Sequence, residues 1–144
     1  MRIVVLVGLP ASGKSTYLDR LGVRGLSSDM VRVLLADDER DQTHQEQVFQ
    51  TVRYLLRQRL EIGRPVTYID ATNLGREERR PYLEIGREFG CDVEAVFFDV
   101  PLAVCRERNA GRARVVPEEV MVLMARKLVA PAVEEGFAKV TVVG

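Results

Sequence analysis

Residues 8–15 read Gly-Leu-Pro-Ala-Ser-Gly-Lys-Ser, which is the G-x-x-x-x-G-K-[ST] pattern of a phosphate-binding loop. The apolar run Arg2–Val7 before it is rich in β-branched residues, as is typical of a strand buried on both faces of a parallel sheet. The segment Ser15–Leu21 after it has helical character, with Leu18 and Leu21 three residues apart on one face. A strand, this loop and a helix in that order predict a site for a nucleoside triphosphate.

The residues of the loop have distinct chemistry. Gly8 and Gly13 permit backbone conformations that a Cβ would hinder, so that consecutive N–H groups can point at phosphate oxygens. Lys14 is expected to bridge the β- and γ-phosphates, and the Ser15 hydroxyl to ligate the accompanying Mg²⁺. A glycine turn that binds no ligand is the alternative. The predicted donor-binding residues of the loop are Gly8, Pro10, Ala11, Ser12, Gly13, Lys14, Ser15 and Thr16.

Composition limits the partners that we expect. The chain has 144 residues, of which 47% are hydrophobic, so it can bury one core and leaves little room for a second domain. Its 21 basic and 21 acidic residues balance, so any contact with nucleic acid must be local. No signal-peptide architecture precedes the first strand, and no apolar stretch approaches the ~18 residues of a membrane span. We therefore expect a cytoplasmic location and no membrane partner.

Strand and helix patterns alternate along the chain. Further strands are predicted at Val23–Ser27, Val66–Ile69, Val93–Val100 and Lys139–Val143, and helices at Ser28–Ala36, Thr43–Ile62, Arg76–Phe89, Leu102–Ala110 and from Pro117 onward. In the helix at 43–62, Val48, Val52, Leu55 and Leu56 trace one apolar face, with Leu60 on its edge. This alternation predicts an α/β fold, the three-layer P-loop NTPase type, with about five parallel strands and helices on both faces.

In such a sheet, ligands gather at the carboxyl ends of the strands. Asp29 follows the second predicted strand, and Arg32 lies three residues further on, on the same helix face. Asp29 could accept the proton of an attacking hydroxyl, and Arg32 could hold an anionic group of a phosphate acceptor. The alternative is that Asp29 caps the helix and Arg32 forms an ordinary surface pair with it.

Other polar residues follow the strands. Asp70 ends an apolar strand, where P-loop enzymes place the acidic residue that orients Mg²⁺, and a turn aspartate that binds backbone N–H groups is the alternative. Thr72 and Asn73 are candidates for contact with the acceptor or the phosphates, although an asparagine before a helix usually closes a turn. Gln42, which ends the acidic turn beginning at Asp37, is a candidate acceptor contact.

Arg106, Arg108, Arg112 and Arg114 crowd one predicted helix end and its connector. Phosphoryl transfer spreads negative charge over the γ-phosphoryl oxygens, and arginines from a closing segment can neutralise it. Arg108 and Arg112 are four residues apart and share a face, whereas Arg106 does not. The alternative is a solvated basic face at a helix C-terminus. We therefore predict a mobile lid, which carries arginines, at about residues 104–116.

These segments together resemble the 5′-hydroxyl polynucleotide kinase module of phage and bacterial end-healing enzymes. The resemblance is carried, in order, by Gly-Leu-Pro-Ala-Ser-Gly-Lys-Ser-Thr16, Ser-Ser-Asp-Met-Val-Arg32, Asp-Asp-Glu-Arg-Asp-Gln42, Ile-Asp-Ala-Thr-Asn-Leu74 and Arg-Glu-Arg-Asn-Ala-Gly-Arg112. It implies a P-loop kinase domain over residues 1–144 that moves the γ-phosphate of ATP or another nucleoside triphosphate, with Mg²⁺, to the 5′-OH end of RNA or DNA.

The resemblance also implies roles for single residues. Asp29 matches the general base, and Arg32 matches the residue that engages the phosphate of the acceptor. Asp70 matches the acidic residue after the third strand, and Arg108 and Arg112 match the lid arginines on the donor phosphates. With Lys14 these five form the predicted catalytic set.

One departure from the family leaves other functions open. Bacterial relatives usually fuse the kinase to a phosphatase, a ligase or another nucleic-acid module, and the sequence contains no Asp-x-Asp-x-Thr phosphatase signature. We therefore expect a free-standing or excised kinase that acts with a separate phosphatase and ligase. A small-molecule kinase for a sugar, a sugar acid or a nucleoside is the first alternative, since the net charge is zero. A regulatory ATPase switch is the second.

Overall fold

The computed structural model describes all residues from 1 to 144 and confirms the predicted α/β fold. Its five parallel strands are β1 Arg2–Val7, β2 Leu26–Ser27, β3 Val66–Asp70, β4 Asp92–Phe98 and β5 Lys139–Val143, in the spatial order β2-β3-β1-β4-β5. The helices are α1 Lys14–Leu21, α2 Ser28–Ala36, α3 Gln45–Glu61, α4 Arg76–Phe89, α5 Leu102–Ala110 and α6 Glu118–Lys127, with a 3-10 turn at Val133–Glu135. The central position of β1 places the phosphate-binding loop in the middle of the carboxyl edge of the sheet.

The two faces of β1 are buried in separate cores because successive side chains of a strand point to opposite faces. Ile3, Val5 and Val7 belong to a cluster of 16 buried residues that includes residues of α3 and α4. Val4 and Leu6 pack in a smaller cluster with Leu18 and other residues. This double burial explains the continuous apolar run that the sequence shows before the loop.

Helix α3 differs in detail from the predicted pattern. Val48, Val52, Leu56 and Leu60 are fully or almost fully buried, whereas Leu55 is exposed. A spacing of four residues keeps the buried stripe on one side of the helix, and Leu55 falls on its flank. The prediction that Leu55 belongs to the buried face and Leu60 to its edge was therefore wrong.

Strand β2 is shorter than predicted, since only Leu26 and Ser27 pair with β3. Gly22 ends α1 in the left-handed region, at φ 67°, and the chain then turns toward the sheet. Gly25 passes so close to β3 that a Cβ built on it would lie 2.9 Å from Cβ of Asp70. The close approach of Gly25 holds the chain against Asp70 at the carboxyl edge.

No helix in the structure combines the length and the apolar character that crossing a bilayer requires. The cytoplasmic location and the single domain over residues 1–144 stay predictions.

Arg79 of α4 is a fully buried cation that ties three segments together. Its Nε and Nη2 atoms each donate to one carboxylate oxygen of Glu135, both at 2.9 Å. Its Nη1 atom donates to the backbone carbonyls of Asn73, Leu74 and Val129 at 2.9–3.0 Å. Burial alone would raise the pKa of Glu135, but the hydrogen bonds from Arg79 and from a backbone N–H group outweigh it, so that this pKa lies below its ordinary value.

We expect Arg79→Met to lower the free energy of unfolding by about 3–5 kcal/mol, because the Glu135 carboxylate would stay buried without its partner. Urea denaturation measures this loss. Arg57→Ala is the matched control, since Arg57 pairs with Glu88 on the surface and should have little effect. The double variant Arg79→Met/Glu135→Leu removes the unpaired carboxylate and should regain part of the stability, although the backbone carbonyls still lack the Arg79 donor. Equal losses in Arg79→Met and Arg57→Ala would contradict this account.

Candidate active site

A cleft of about 1460 Å³ opens at the carboxyl edge of the sheet. Of the 16 predicted site residues, 14 line it: Pro10, Ala11, Ser12, Gly13, Lys14, Ser15, Thr16, Asp29, Arg32, Gln42, Asp70, Thr72, Arg108 and Arg112. Gly8 and Asn73 do not line the cleft. The structure thus brings the predicted donor, acceptor and lid residues into one cavity.

The phosphate-binding loop forms a tight cradle between β1 and α1. Gly13 has φ 107°, and Ala11 adopts the left-handed region at φ 64°, which is rare for a residue with a side chain. A Cβ on Gly8 would lie 2.6 Å from Oγ of Ser12 and 3.0 Å from Cβ of Phe98, so only glycine fits at this position. Oγ of Ser12 is buried and has no hydrogen-bond partner in the protein. The cradle therefore has both the shape and a free polar atom for an anionic group.

Lys14 begins α1 with its ammonium group folded back onto the loop. Its Nζ atom donates to the carbonyls of Gly8 at 2.9 Å and of Leu9 at 2.7 Å. Burial lowers the pKa of Lys14 from 10.5 to about 8, although the neighbouring Asp70 carboxylate acts in the opposite direction. Burial likewise raises the pKa of Asp70, and the Lys14 ammonium opposes that shift. Each group thus favours the charged form of the other.

We expect the affinity for ATP to fall above pH 8. In the nucleotide-free protein Lys14 loses its proton as the pH rises through about 8, and bound phosphate favours the charged form. Above that pH nucleotide binding must take up a proton, so the affinity should fall by up to about tenfold per pH unit. Titration of ATP binding between about pH 7 and pH 9.5 measures this fall. Lys14→Arg keeps its charge and should flatten the profile, and a flat wild-type profile would contradict the expectation.

At the same cleft, Asp29 and Arg32 begin a chain of hydrogen bonds. Nη1 of Arg32 donates to Oδ1 of Asp29 at 2.7 Å, and Nη2 donates to Oε1 of Gln45 at 2.7 Å. Nε2 of Gln45 donates in turn to Oε1 of Gln42 at 2.9 Å. The chain joins the start of α2 to the start of α3 and orients Arg32 toward the cleft.

The structure contradicts the alternative in which Asp29 is a helix cap. Ser27 is the N-cap of α2, because its Oγ accepts the hydrogen bond from the Met30 N–H group at 3.2 Å. Arg32 is only 4% exposed, so its pair with Asp29 is not an ordinary surface pair. Nε of Arg32 is buried and lacks a hydrogen-bond partner in the protein. Asp29 is therefore free of a capping role, and Arg32 has donor capacity left for an anion.

The predicted lid comprises most of α5 and the connector to α6. Arg108 is exposed at the cleft, while Arg112 is half-buried, and its Nη1 atom is buried without a hydrogen-bond partner. Arg112 is also close enough to Lys14 to contribute to lowering its pKa. Arg106 points away and pairs with Glu118 outside the cleft. Arg106 and Arg108 lie two residues apart on α5 and so point to different sides of it, whereas Arg112 lies just beyond the end of that helix. The mobility of the lid stays a prediction.

Three residues that sequence reasoning left out of the site are part of its framework. Arg114 donates from Nη1 to Oδ2 of Asp29 at 2.9 Å, and Gln45 supports Arg32. The side-chain amide of the buried Asn109 donates to the carbonyl of Val116 at 2.7 Å and accepts from its N–H group at 3.0 Å. These two hydrogen bonds hold the end of the connector against α5. Of these three residues, the sequence pointed to Arg114 alone as a candidate by its residue type, because it belongs to the cluster of arginines.

Two predicted contacts after β3 have different outcomes. Thr72 lines the cleft, and its carbonyl accepts a hydrogen bond from the Gly8 N–H group at 3.0 Å. Asn73 is buried at φ 47° and donates from Nδ2 to the carbonyls of Leu6 at 2.7 Å and Ala71 at 3.3 Å. Its amide therefore joins the end of β3 to β1 outside the cleft, and a contact between Asn73 and substrate stays a prediction.

The cleft suits a nucleoside triphosphate on chemical grounds. Its three buried polar atoms without protein partners, Oγ of Ser12, Nε of Arg32 and Nη1 of Arg112, can all donate hydrogen bonds to anionic oxygens. The exposed Ser15 and the half-buried Asp70 line the same cleft. Hydroxyl and carboxylate oxygens are ligands that Mg²⁺ prefers. These two residues would hold the ion.

Comparison with known proteins identifies the family of the chain. The model of the AAA domain family AAA_33 matches residues 3–131. The L-seryl-tRNA(Sec) kinase of Methanococcus maripaludis is 24% identical over 136 residues, which are 90% of this chain and 53% of that kinase. This chain thus spans about half the length of that relative.

Two solved structures share the fold. In the Pnkp1/Rnl/Hen1 RNA repair complex, one chain is similar with a TM-score of 0.73 and 21% identity, over 88% of this chain and 43% of that one. A sugar kinase from Janibacter sp. HTCC2649 is similar with a TM-score of 0.70 and 20% identity, over 99% of this chain and 84% of that one. The same fold thus occurs in one chain of an RNA repair complex and in one protein whose name refers to sugars.

Proposed function

Because the chain belongs to the AAA_33 family of AAA domains and is a P-loop kinase of that type, we propose that it phosphorylates the 5′-hydroxyl end of RNA or DNA. ATP or another nucleoside triphosphate is the donor. The proposal concerns the acceptor, since the family alone is compatible with acceptors of several kinds.

The arrangement of Asp29 and Arg32 is the observation that carries this proposal. A carboxylate that does not cap its helix faces the same cleft as the phosphate-binding loop. Beside it, the almost fully buried guanidinium of Arg32 keeps one N–H group free. A base next to an anchored cation suits an acceptor that carries both a hydroxyl and a phosphate, as a polynucleotide end does.

The residues divide into a donor half and an acceptor half. Bound ATP with Mg²⁺ would supply the γ-phosphoryl group. Lys14 and the loop N–H groups hold the phosphates, and Ser15 and Asp70 hold the ion. Asp29 accepts the proton of the 5′-hydroxyl, and Arg32 binds the acceptor phosphate.

Arg108 and Arg112 offset the charge that develops during transfer. A regulatory ATPase has no need for a base at an acceptor position, so the pair of Asp29 and Arg32 disfavours that alternative.

The names of two similar proteins agree with a nucleic-acid acceptor. One is an L-seryl-tRNA(Sec) kinase and the other is part of an RNA repair complex. Both likenesses are distant, so they support the proposal without deciding it.

A small-molecule kinase is the second candidate, because Glu39 from the acidic turn lines the cleft and would repel a long polyanion. A comparison of acceptors separates the two functions. With ATP and Mg²⁺, a 5′-OH oligonucleotide should exceed nucleosides, gluconate and free sugars in kcat/KM by at least about a hundredfold. Higher kcat/KM for a sugar, a sugar acid or a nucleoside would favour the second candidate.

A further inference from the structure

Arg114 is the one lid arginine that contacts the acceptor half of the cleft. It lies on the connector between α5 and α6, beyond the helix that carries Arg108. Its Nη1 atom donates to Oδ2 of Asp29 at 2.9 Å, and its Nη2 atom donates to the backbone carbonyl of Glu39 at 3.3 Å. Its Nε atom lies 3.9 Å from the Glu39 carboxylate. Arg114 therefore connects the lid to Asp29 and to the acidic turn.

Both oxygens of Asp29 are occupied in this arrangement. Oδ1 accepts from Arg32 and Oδ2 accepts from Arg114. The two arginines differ in how firmly they are held, since the Arg32 side chain is 4% exposed and that of Arg114 is 21% exposed. Arg32 is also fixed by Gln45, whereas the other partners of Arg114 are a long hydrogen bond and a distant carboxylate at Glu39. Arg114 is thus the partner that can leave Asp29.

An anionic acceptor offers Arg114 a better partner. Arginine binds phosphate through two parallel N–H···O hydrogen bonds. Together these two bonds are stronger than a single hydrogen bond to a carboxylate at a partly solvated position. An uncharged acceptor offers no such exchange, so Arg114 would stay on Asp29 and compete with the hydroxyl for the base. The same contact would therefore discriminate between the two classes of acceptor.

We infer that Arg114 is a specificity-determining residue, which selects acceptors that carry a phosphate beside the reacting hydroxyl by moving from Asp29 to that phosphate. The inference rests on the proposed function. It assigns Arg114 to the acceptor and leaves the donor to Arg108 and Arg112.

Two matched acceptors test the inference. One is a nucleoside 3′-phosphate with a free 5′-OH group, and the other is the same nucleoside without phosphate. In Arg114→Gln the ratio of their kcat/KM values should fall by about 10- to 100-fold, the effect of one hydrogen bond to a charged group. The KM for ATP should stay within about twofold, since the donor contacts remain. Arg114→Lys keeps the charge but loses the two parallel N–H groups, so it should retain only part of the discrimination.

Arg106→Gln is the control on the same lid, because Arg106 pairs with Glu118 outside the cleft. It should leave the ratio unchanged. If Arg114 merely tethered the lid, Arg114→Gln would lower both kcat/KM values by the same factor, and an unchanged ratio would overturn the inference while the proposed function stood. If the wild-type protein phosphorylates neither this nucleotide nor a 5′-OH oligonucleotide, both proposals fall.

Discussion

Asp29→Asn should lower kcat on a 5′-OH oligonucleotide by about 10²- to 10⁴-fold, the usual contribution of a general base. An amide cannot accept the hydroxyl proton. Its oxygen can still receive the hydrogen bond from Arg32, whereas its NH2 group cannot receive the one from Arg114. Because Asp29 lies on the acceptor side of the cleft, the affinity for ATP should change by no more than about twofold. Steady-state kinetics with a separate ATP titration measure both effects.

Asp19→Asn is the matched control for this variant. Asp19 is an exposed carboxylate on α1 that does not line the cleft, so the exchange should leave kcat unchanged. Retention of near-normal kcat in Asp29→Asn would show that Asp29 is not the base. Loss of ATP affinity in parallel with kcat would place Asp29 on the donor side instead.

Arg112→Ala should lower kcat by about 10³-fold or more, because arginines that neutralise the migrating phosphoryl group contribute about 10³- to 10⁵-fold in related chemistry. The structural reason is the buried Nη1 atom of Arg112, which has no partner in the protein and lies on a residue that lines the cleft near Lys14. The acceptor KM should change little. Single-turnover kinetics at saturating substrates isolate this effect from binding.

Arg106→Ala tests whether the loss of kcat in Arg112→Ala is specific to an arginine that lines the cleft. Both residues belong to the lid region, but Arg106 pairs with Glu118 on the far side. The control should therefore keep kcat within about twofold of the wild-type value. Similar losses in both variants would mean that a general loss of lid charge or structure causes the effect.

The order of the elements could be predicted because periodicity and loop chemistry are local. The run Arg2–Val7, the glycine loop and the spacing of residues in α3 all depend on neighbours along the chain. The burial of Leu55 and the length of β2 were predicted wrongly because both depend on how the elements pack together. The approach of Gly25 to Asp70, for example, brings together segments that are far apart in the sequence.

The candidate site was predictable where a residue follows a strand directly. Lys14, Asp29 and Asp70 reach the cleft because the carboxyl ends of parallel strands meet at one edge. Arg114 was left out because it lies beyond the end of α5, where helical spacing no longer says which way a side chain points. Likewise, the sequence position of Asn73 cannot show that its amide is used between β3 and β1.

Transfer of label from γ-labelled ATP to a 5′-OH oligonucleotide in the presence of Mg²⁺ is the most direct test of the central claim. The account predicts label on the 5′-OH oligonucleotide, none on the same oligonucleotide with a 5′-phosphate, and none with Lys14→Ala. Label that appears in a sugar or a nucleoside but not in the oligonucleotide, or only as free phosphate, would contradict it.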